Sequence, residues 1–218
     1  MKQLNTTLLK SLIVLAAVIT VNFSYGKTYT AINSGKWSDA SIWQDGAPGN
    51  TISADDQVVI KNHVVITSDI AINGTMTIEK GKTVISNKTL LINNEGKLIN
   101  DGSITAKRIV NEGTINNNSS MESMNEIENK GTLNNNSNMV AGTNILNFGG
   151  NVTGSKGTYF ANSSVISSTN GKFGNNIKIY SNPSETSSNN ESGTSMDVNS
   201  ENVSAVVTMN NVNNLTNK

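Results

Sequence analysis

Two glutamates and two tryptophans are the residues of this chain whose types and spacing could do chemistry. Glu95 and Glu112 occupy matching places in two copies of an Asn-x-Gly unit, Asn94-Glu95-Gly96 and Asn111-Glu112-Gly113. If the copies stack as neighbouring strands do, about 4.8 Å apart, the two carboxyls form a pair, and glycoside hydrolysis needs two carboxyls roughly 5 to 9.5 Å apart on one face. The next copy, Asn129-Lys130-Gly131, puts a lysine at the same place. A solvated turn carrying charges accounts for that column more simply than a catalytic dyad does. Trp37 and Trp43 could stack on sugar rings, but aromatic pairs in a leading segment more often close the open end of a core. A plug is therefore the expectation.

Other chemistry is narrower still. Asp55-Asp56 offers hard oxygen ligands suited to calcium, yet no third or fourth carboxylate follows at loop spacing, and a turn before a strand is preferred. His63 is the single histidine and cysteine is absent. Histidine triads, multi-histidine metal sites, thiolate sites, cysteine nucleophiles and disulfide scaffolds are thereby excluded. Thr114 and Thr132 make a pair rather than the rank of threonines that ice binding needs, because position 97 is lysine. No phosphate-cradling loop followed by lysine is present, and no heptad or amphipathic helix. The candidate binding residues are thus Trp37, Trp43, Glu95 and Glu112, with no catalytic centre, no metal site and no cofactor implied.

Positioning these residues falls to a repeat. The segment from Ile109 to Met121 is written again from Ile127 to Met139, apolar on apolar, Asn on Asn and Gly on Gly, and Ile145 falls one more period on. Self-similarity at this length marks a solenoid, in which each repeat is one coil stacked on the last. The unit Asn-x-Gly-x-apolar begins at Asn94, Asn111 and Asn129, with a half-step copy at Asn100-Asp101-Gly102-Ser103-Ile104, so each coil holds more than one strand. About 18 residues at roughly 3.3 Å each is a circuit of about 60 Å, enough for three short strands and their turns.

The expected fold is all-β: a single right-handed parallel β-helix of about 18 residues per coil, with an N-terminal cap and a disordered C-terminal tail. The hand follows from the general handedness of parallel crossovers. Three inward ladders are expected: Ile92, Ile109, Ile127 and Ile145; Leu98, Ile115 and Leu133; Ile104, Met121 and Met139. Roughly one residue in six is Asn, a residue that tolerates turn geometry. Most of the runs at 116–118 and 134–136 are expected to face water, the alternative being amides stacked along the coil axis as in cross-β ladders.

The chain divides readily. Residues 1–26 read as a signal peptide, with Lys2 and Lys10, an apolar run from Leu12 to Val21, and small residues Ser24 and Gly26 before a cut at Lys27. Residues 27–68 form an N-terminal cap and first strands, 69–152 the coils, 153–180 degenerate coils and a C-terminal cap, and 181–218 a polar tail of low apolar content. Within 27–68 lie Trp37-Ser38-Asp39, Trp43, Gly46-Ala47-Pro48 and Asp55-Asp56-Gln57-Val58-Val59-Ile60. That pattern, followed by Asn-x-Gly-rich coils, resembles the opening of many secreted bacterial β-solenoid surface proteins. It is distantly similar to the eight-glycine domain of some surface and polysaccharide-associated proteins. The resemblance covers about residues 30 to 150 and implies a surface or secreted right-handed β-helix with no particular active site. Ile179-Tyr180-Ser181-Asn182-Pro183-Ser184 faintly resembles the start of a C-terminal sorting domain, but the apolar strands that should follow are missing.

Lysine plus arginine equals aspartate plus glutamate at 16 each, so no net field draws in nucleic acid or an anionic membrane. The expected function is an exported, non-enzymatic β-solenoid acting in adhesion or structure at the cell surface or in a matrix, with the periplasm as an alternative place. Its partners would be an extracellular polysaccharide or further copies of itself, with no membrane span once the leader is removed. The alternative is a polysaccharide-binding module, or an inactive relative of polysaccharide-degrading β-helix enzymes.

Overall fold

Short β-branched runs separated by glycine corners build a three-sided parallel solenoid. The computed structural model describes residues 25–154 and 157–162, and beyond them the strands at 164–167, 172–173, 177–181, 196–198 and 206–207. Residues 1–24, most of the segment expected to be a leader, and most of the polar tail lie outside the described residues. Each coil gives one strand to each of three sheets, here called A, B and C. In the central coil these are Thr114–Asn117 in sheet A, Ser120–Ser123 in sheet B and Ile127–Asn129 in sheet C. Pairing between successive coils is parallel throughout. The solenoid makes about six turns of about 19 residues. Individual coils vary: Leu98 to Ile115 is 17 residues and Met76 to Leu98 is 22.

Strand alternation sends every second side chain inward. Met76, Leu98, Ile115, Leu133 and Val152 stack on sheet A. Val84, Ile104, Met121, Met139 and Tyr159 stack on sheet B. All are buried. Each fully buried aliphatic side chain contributes about 1.5–3 kcal/mol. Two of the expected ladders stand as read. The third is corrected: Leu90, not Ile92, lies beside Ile109, and below it come Ile127 and Ile145. Ile92 instead stacks on Asn111. The coil between them carries a corner two residues longer, Asn93 to Gly96, which a fixed step read along the chain cannot detect.

The expectation for the asparagine runs fails at one position in each. Asn117 and Asn135 point into the core, as do Asn100, Asn111, Asn129 and Asn147, and all six are buried. They form two amide ladders. On one, Asn100 Nδ2 donates to Asn117 Oδ1 and Asn117 Nδ2 to Asn135 Oδ1, both at 2.7 Å. On the other, Asn111 Nδ2 donates to Asn129 Oδ1 at 2.7 Å and Asn129 Nδ2 to Asn147 Oδ1 at 2.8 Å. The remaining amide hydrogen turns to a backbone carbonyl, for example from Asn100 to Ser120 O and from Asn111 to Thr132 O. Burial of a primary amide is tolerable only when it is hydrogen-bonded, and here the next coil supplies the partner. Asn116 and Asn134 face outward as expected, half-buried.

Both ladders run one way, each amide donating toward the C-terminus. The first acceptor of each ladder, Asn100 Oδ1 and Asn111 Oδ1, is buried without a hydrogen-bond partner. The residues stacked before them are Ile78 and Ile92, which have nothing to donate. The ladder position thus changes from aliphatic to amide partway along the solenoid.

Glycine at the corners is a packing requirement. A Cβ on Gly113 would overlap the carbonyl oxygens of Asn93 and Gly96, and one on Gly131 would overlap that of Gly113. The Asn-x-Gly motif is therefore the imprint of coils meeting closely at their corners.

At the N-terminal end Trp43–Gln44 pairs antiparallel with Thr28–Ala31, closing sheet A. Gln57–Ile60 and Val64–Ile66, on either side of Asn62-His63, join sheets A and B respectively. Toward the C-terminus Asn151–Thr153, Thr158–Ala161 and Ser164–Ser167 continue the three sheets, although the sequence repeat has faded. Met196–Val198 and Val206–Val207 return antiparallel onto the last strands of sheets B and C.

Candidate functional site

The outer face of sheet C holds the densest set of charges. Outward positions alternate with the buried ladder residues, so three columns run along this face. Asp69, Thr89, Arg108, Glu126 and Asn144 form the first, and Ala71, Leu91, Val110, Glu128 and Leu146 the second. Asn73, Asn93, Glu112, Lys130 and Phe148 form the third, their backbone amides each bonded to the coil before.

Arg108 joins the first two columns. Its Nε lies 2.6 Å from Glu126 Oε1 and its Nη2 donates to Glu128 Oε2. A planar guanidinium with several fixed donors suits two carboxylates at once. Lys130 Nζ lies 2.7 Å from Glu128 Oε1 and 3.5 Å from Glu112 Oε1. The chain of contacts therefore reads Glu126, Arg108, Glu128, Lys130, Glu112. Glu128 is only 8 % exposed, a burial that its two cations make tolerable. The hydrogen bond from Lys130 to Glu128 is the largest cause holding the Lys130 ammonium pKa above its ordinary value.

The four residues singled out from sequence do not converge. Trp37 and Trp43 are 2 % and 4 % exposed and meet edge to face, with ring centroids 5.1 Å apart. Trp43 Nε1 donates to Trp37 O at 2.8 Å and Trp37 Nε1 to Gly49 O at 3.2 Å. Their rings lie inside the leading segment, with no open face on which a sugar could stack. Glu95 and Glu112 do not form the stacked pair: Glu95 occupies the two-residue extension of its corner, and the residue in register with Glu112 is Asn93. Glu112 faces Lys130 instead, as the charge column implied.

Asp56 anchors the first strand, its Oδ1 accepting from Lys27 N at 2.7 Å. Among the described residues no group of three or more His, Asp or Glu is placed to hold a metal ion. No helix among them is long and apolar enough to cross a membrane.

Arg108, Glu126 and Glu128 went unread in the sequence, though a signal was present. Once Ile109 is laid on Ile127, Arg108 falls on Glu126 and Val110 on Glu128. An arginine set against a glutamate one period away is the mark of an axial ion pair.

Compared with known proteins, the chain matches no protein-family model, no curated protein and no solved structure.

Proposed function

We propose that this chain is an exported, non-enzymatic β-solenoid that serves as a structural or adhesive element at a cell surface or in an extracellular matrix. One observation carries the reading. Glu126 and Glu128, two carboxylates of neighbouring columns on sheet C, are both engaged by Arg108, and Glu128 also by Lys130. A general acid and base must be free to exchange protons, whereas charges locked this way brace adjacent coils. The basic and apolar leader supports export, and so does the likeness of the leading segment to secreted bacterial solenoids and the eight-glycine domain. Flat sheets with in-register columns offer extended surfaces for contact with a polymer or another copy.

A second reading rests on sheet A. Its outer face aligns Thr114 with Thr132 and Asn116 with Asn134. Neighbouring Asn136 Nδ2 donates to Asn118 Oδ1 at 3.0 Å. Uncharged hydroxyls and amides at strand spacing both donate and accept hydrogen bonds, which suits the hydroxyls of a neutral polysaccharide. This version of the carbohydrate reading needs no tryptophan platform.

A glycan array combined with a depolymerisation assay on the chain lacking residues 1–26 tests both. Turnover of any glycan would overturn the non-enzymatic reading. Binding without turnover that disappears in Asn116→Ala/Asn134→Ala would favour the polysaccharide module. Silence on glycans together with concentration-dependent assembly is the outcome expected of the structural protein. Fractionation of a producing culture, with the chain recovered only from cytoplasm, would overturn export.

A further inference from the structure

We infer that the outer face of sheet C is a self-docking surface that joins two copies of this chain side by side, with their solenoid axes parallel. The inference rests on the structural reading above and assigns its contact face. In one coil the face carries Arg108, Val110 and Glu112; in the next it carries Glu126, Glu128 and Lys130. The outer two columns are thus positive over negative on one side and negative over positive on the other. They stand about 13 Å apart, four residues of extended backbone.

Such a pattern is complementary to its own image under a two-fold axis lying in the contact plane. An axis along the solenoid sets the first column of one copy on the third column of the other. Arg108 then faces the second copy's Glu112, and Glu126 faces its Lys130. The middle column meets itself, so that Leu91 lies on Leu91 and Leu146 on Leu146, with Val110, 6 % exposed, between them. Glu128 also meets Glu128, but each is already neutralised within its own chain by Arg108 and Lys130. The other in-plane axis, along the strands, also matches opposite charges. It still lays Leu91 on Leu146 but sets Val110 against Glu128, an apolar group on a carboxylate, and so gives up the like-on-like middle column. Complementary potentials fix register and suppress wrong pairings, and an isologous contact of this kind closes as a dimer. Partly exposed Leu91 and Leu146, with Phe148 44 % exposed at the border, supply the apolar component. The patch is roughly 13 Å by 19 Å by strand geometry, small beside the ~800 Å² per partner of a standard interface. Association is therefore weak and becomes visible at high concentration.

The test uses two charge-swapped variants. Glu112→Lys/Lys130→Glu inverts the third column, and Arg108→Glu/Glu126→Arg inverts the first. Each keeps an opposite-charge pair within its own column. Sedimentation velocity of the chain up to millimolar concentration is expected to give a monomer–dimer equilibrium for the wild type that weakens as salt is raised. Each variant alone is expected to associate at least about tenfold more weakly, because like charges now face each other. An equimolar mixture of the two restores complementarity and is expected to dimerise. Hydrogen exchange of the sheet amides checks that both variants are folded. A wild type monomeric throughout, or association that salt strengthens, would overturn the proposal. So would a folded third-column variant that dimerises like the wild type, since the axis along the strands tolerates that swap. Assembly surviving in both folded variants would likewise overturn the proposal, through the axis along the strands or through another face, and leave the structural reading intact.

Discussion

Asn111 donates a side-chain hydrogen bond of 2.7 Å to Asn129 on the next coil, and both residues are 1 % exposed. The bond joins chemically identical groups 18 residues apart, each completing the other. It makes asparagine at these positions a core residue rather than a turn residue. Replacing Asn129 by Ala removes the acceptor for Asn111 Nδ2 and the donor to Asn147 Oδ1. A buried polar group stripped of its partner costs about 1–3 kcal/mol. The variant should therefore lose about 2–4 kcal/mol, read as a lowered urea midpoint. An unchanged midpoint would mean that the ladder adds nothing to stability.

Ile127 lies in the sheet C ladder between Ile109 and Ile145 and is fully buried. Ile127→Asp puts an unpaired carboxylate in the middle of an aliphatic column, a loss expected to exceed about 4 kcal/mol and to unfold the central coils. Far-ultraviolet circular dichroism and hydrogen exchange read the result. Ile99→Asp, on the outer face of sheet A where the native residue is only partly buried, should leave the fold in place. Equal sensitivity of the two positions would contradict the inward and outward assignment.

Trp43 and Trp37 close the N-terminal end as an edge-to-face pair in which Trp43 Nε1 donates to Trp37 O. Trp43→Ala deletes a buried ring and leaves a cavity, at an expected cost of about 3–5 kcal/mol. Fluorescence of the wild type should be blue-shifted and move red as the cap opens. Because the cap covers the edges of the first strands, the variant should also aggregate more readily on dilution from urea.

Tyr159 supplies a pH dependence. It follows Met139 in the sheet B ladder and is fully buried. Burial raises its phenol pKa far above the ordinary 10.0, with a smaller opposing effect from a hydrogen bond with Asn135. A group whose folded pKa is raised contributes stability that is complete below its unfolded pKa and declines above it. From pH 10 upward the unfolded chain ionises Tyr159 while the folded chain does not, so stability should fall by about 1.4 kcal/mol per pH unit. Urea midpoints between pH 9 and pH 11.5 check this, and Tyr159→Phe should abolish that share of the slope. A wild-type slope matching the Phe variant would show that the hydroxyl titrates freely.

Much of the architecture was set by the sequence alone. The copies beginning at Ile109 and Ile127 define a coil, and their apolar spacing defines three strands per coil. The glycines at 113 and 131 mark the corner where successive coils touch. These features are legible because they are local: alternation, turn chemistry and period all lie within a few tens of residues. What the tertiary structure decided is register and direction. Asn93 to Gly96 lengthens one corner, and that insertion moves Leu90 rather than Ile92 into line with Ile109.

An asparagine at a strand end satisfies turn rules equally well pointing in or out. Only a second amide one coil away makes the inward choice favourable, and that partner is 17 or 18 residues distant. The same holds for Arg108, whose role depends on two glutamates brought beside it by the next coil. Chemistry written along the chain was visible, whereas chemistry written across the coils had to await their stacking.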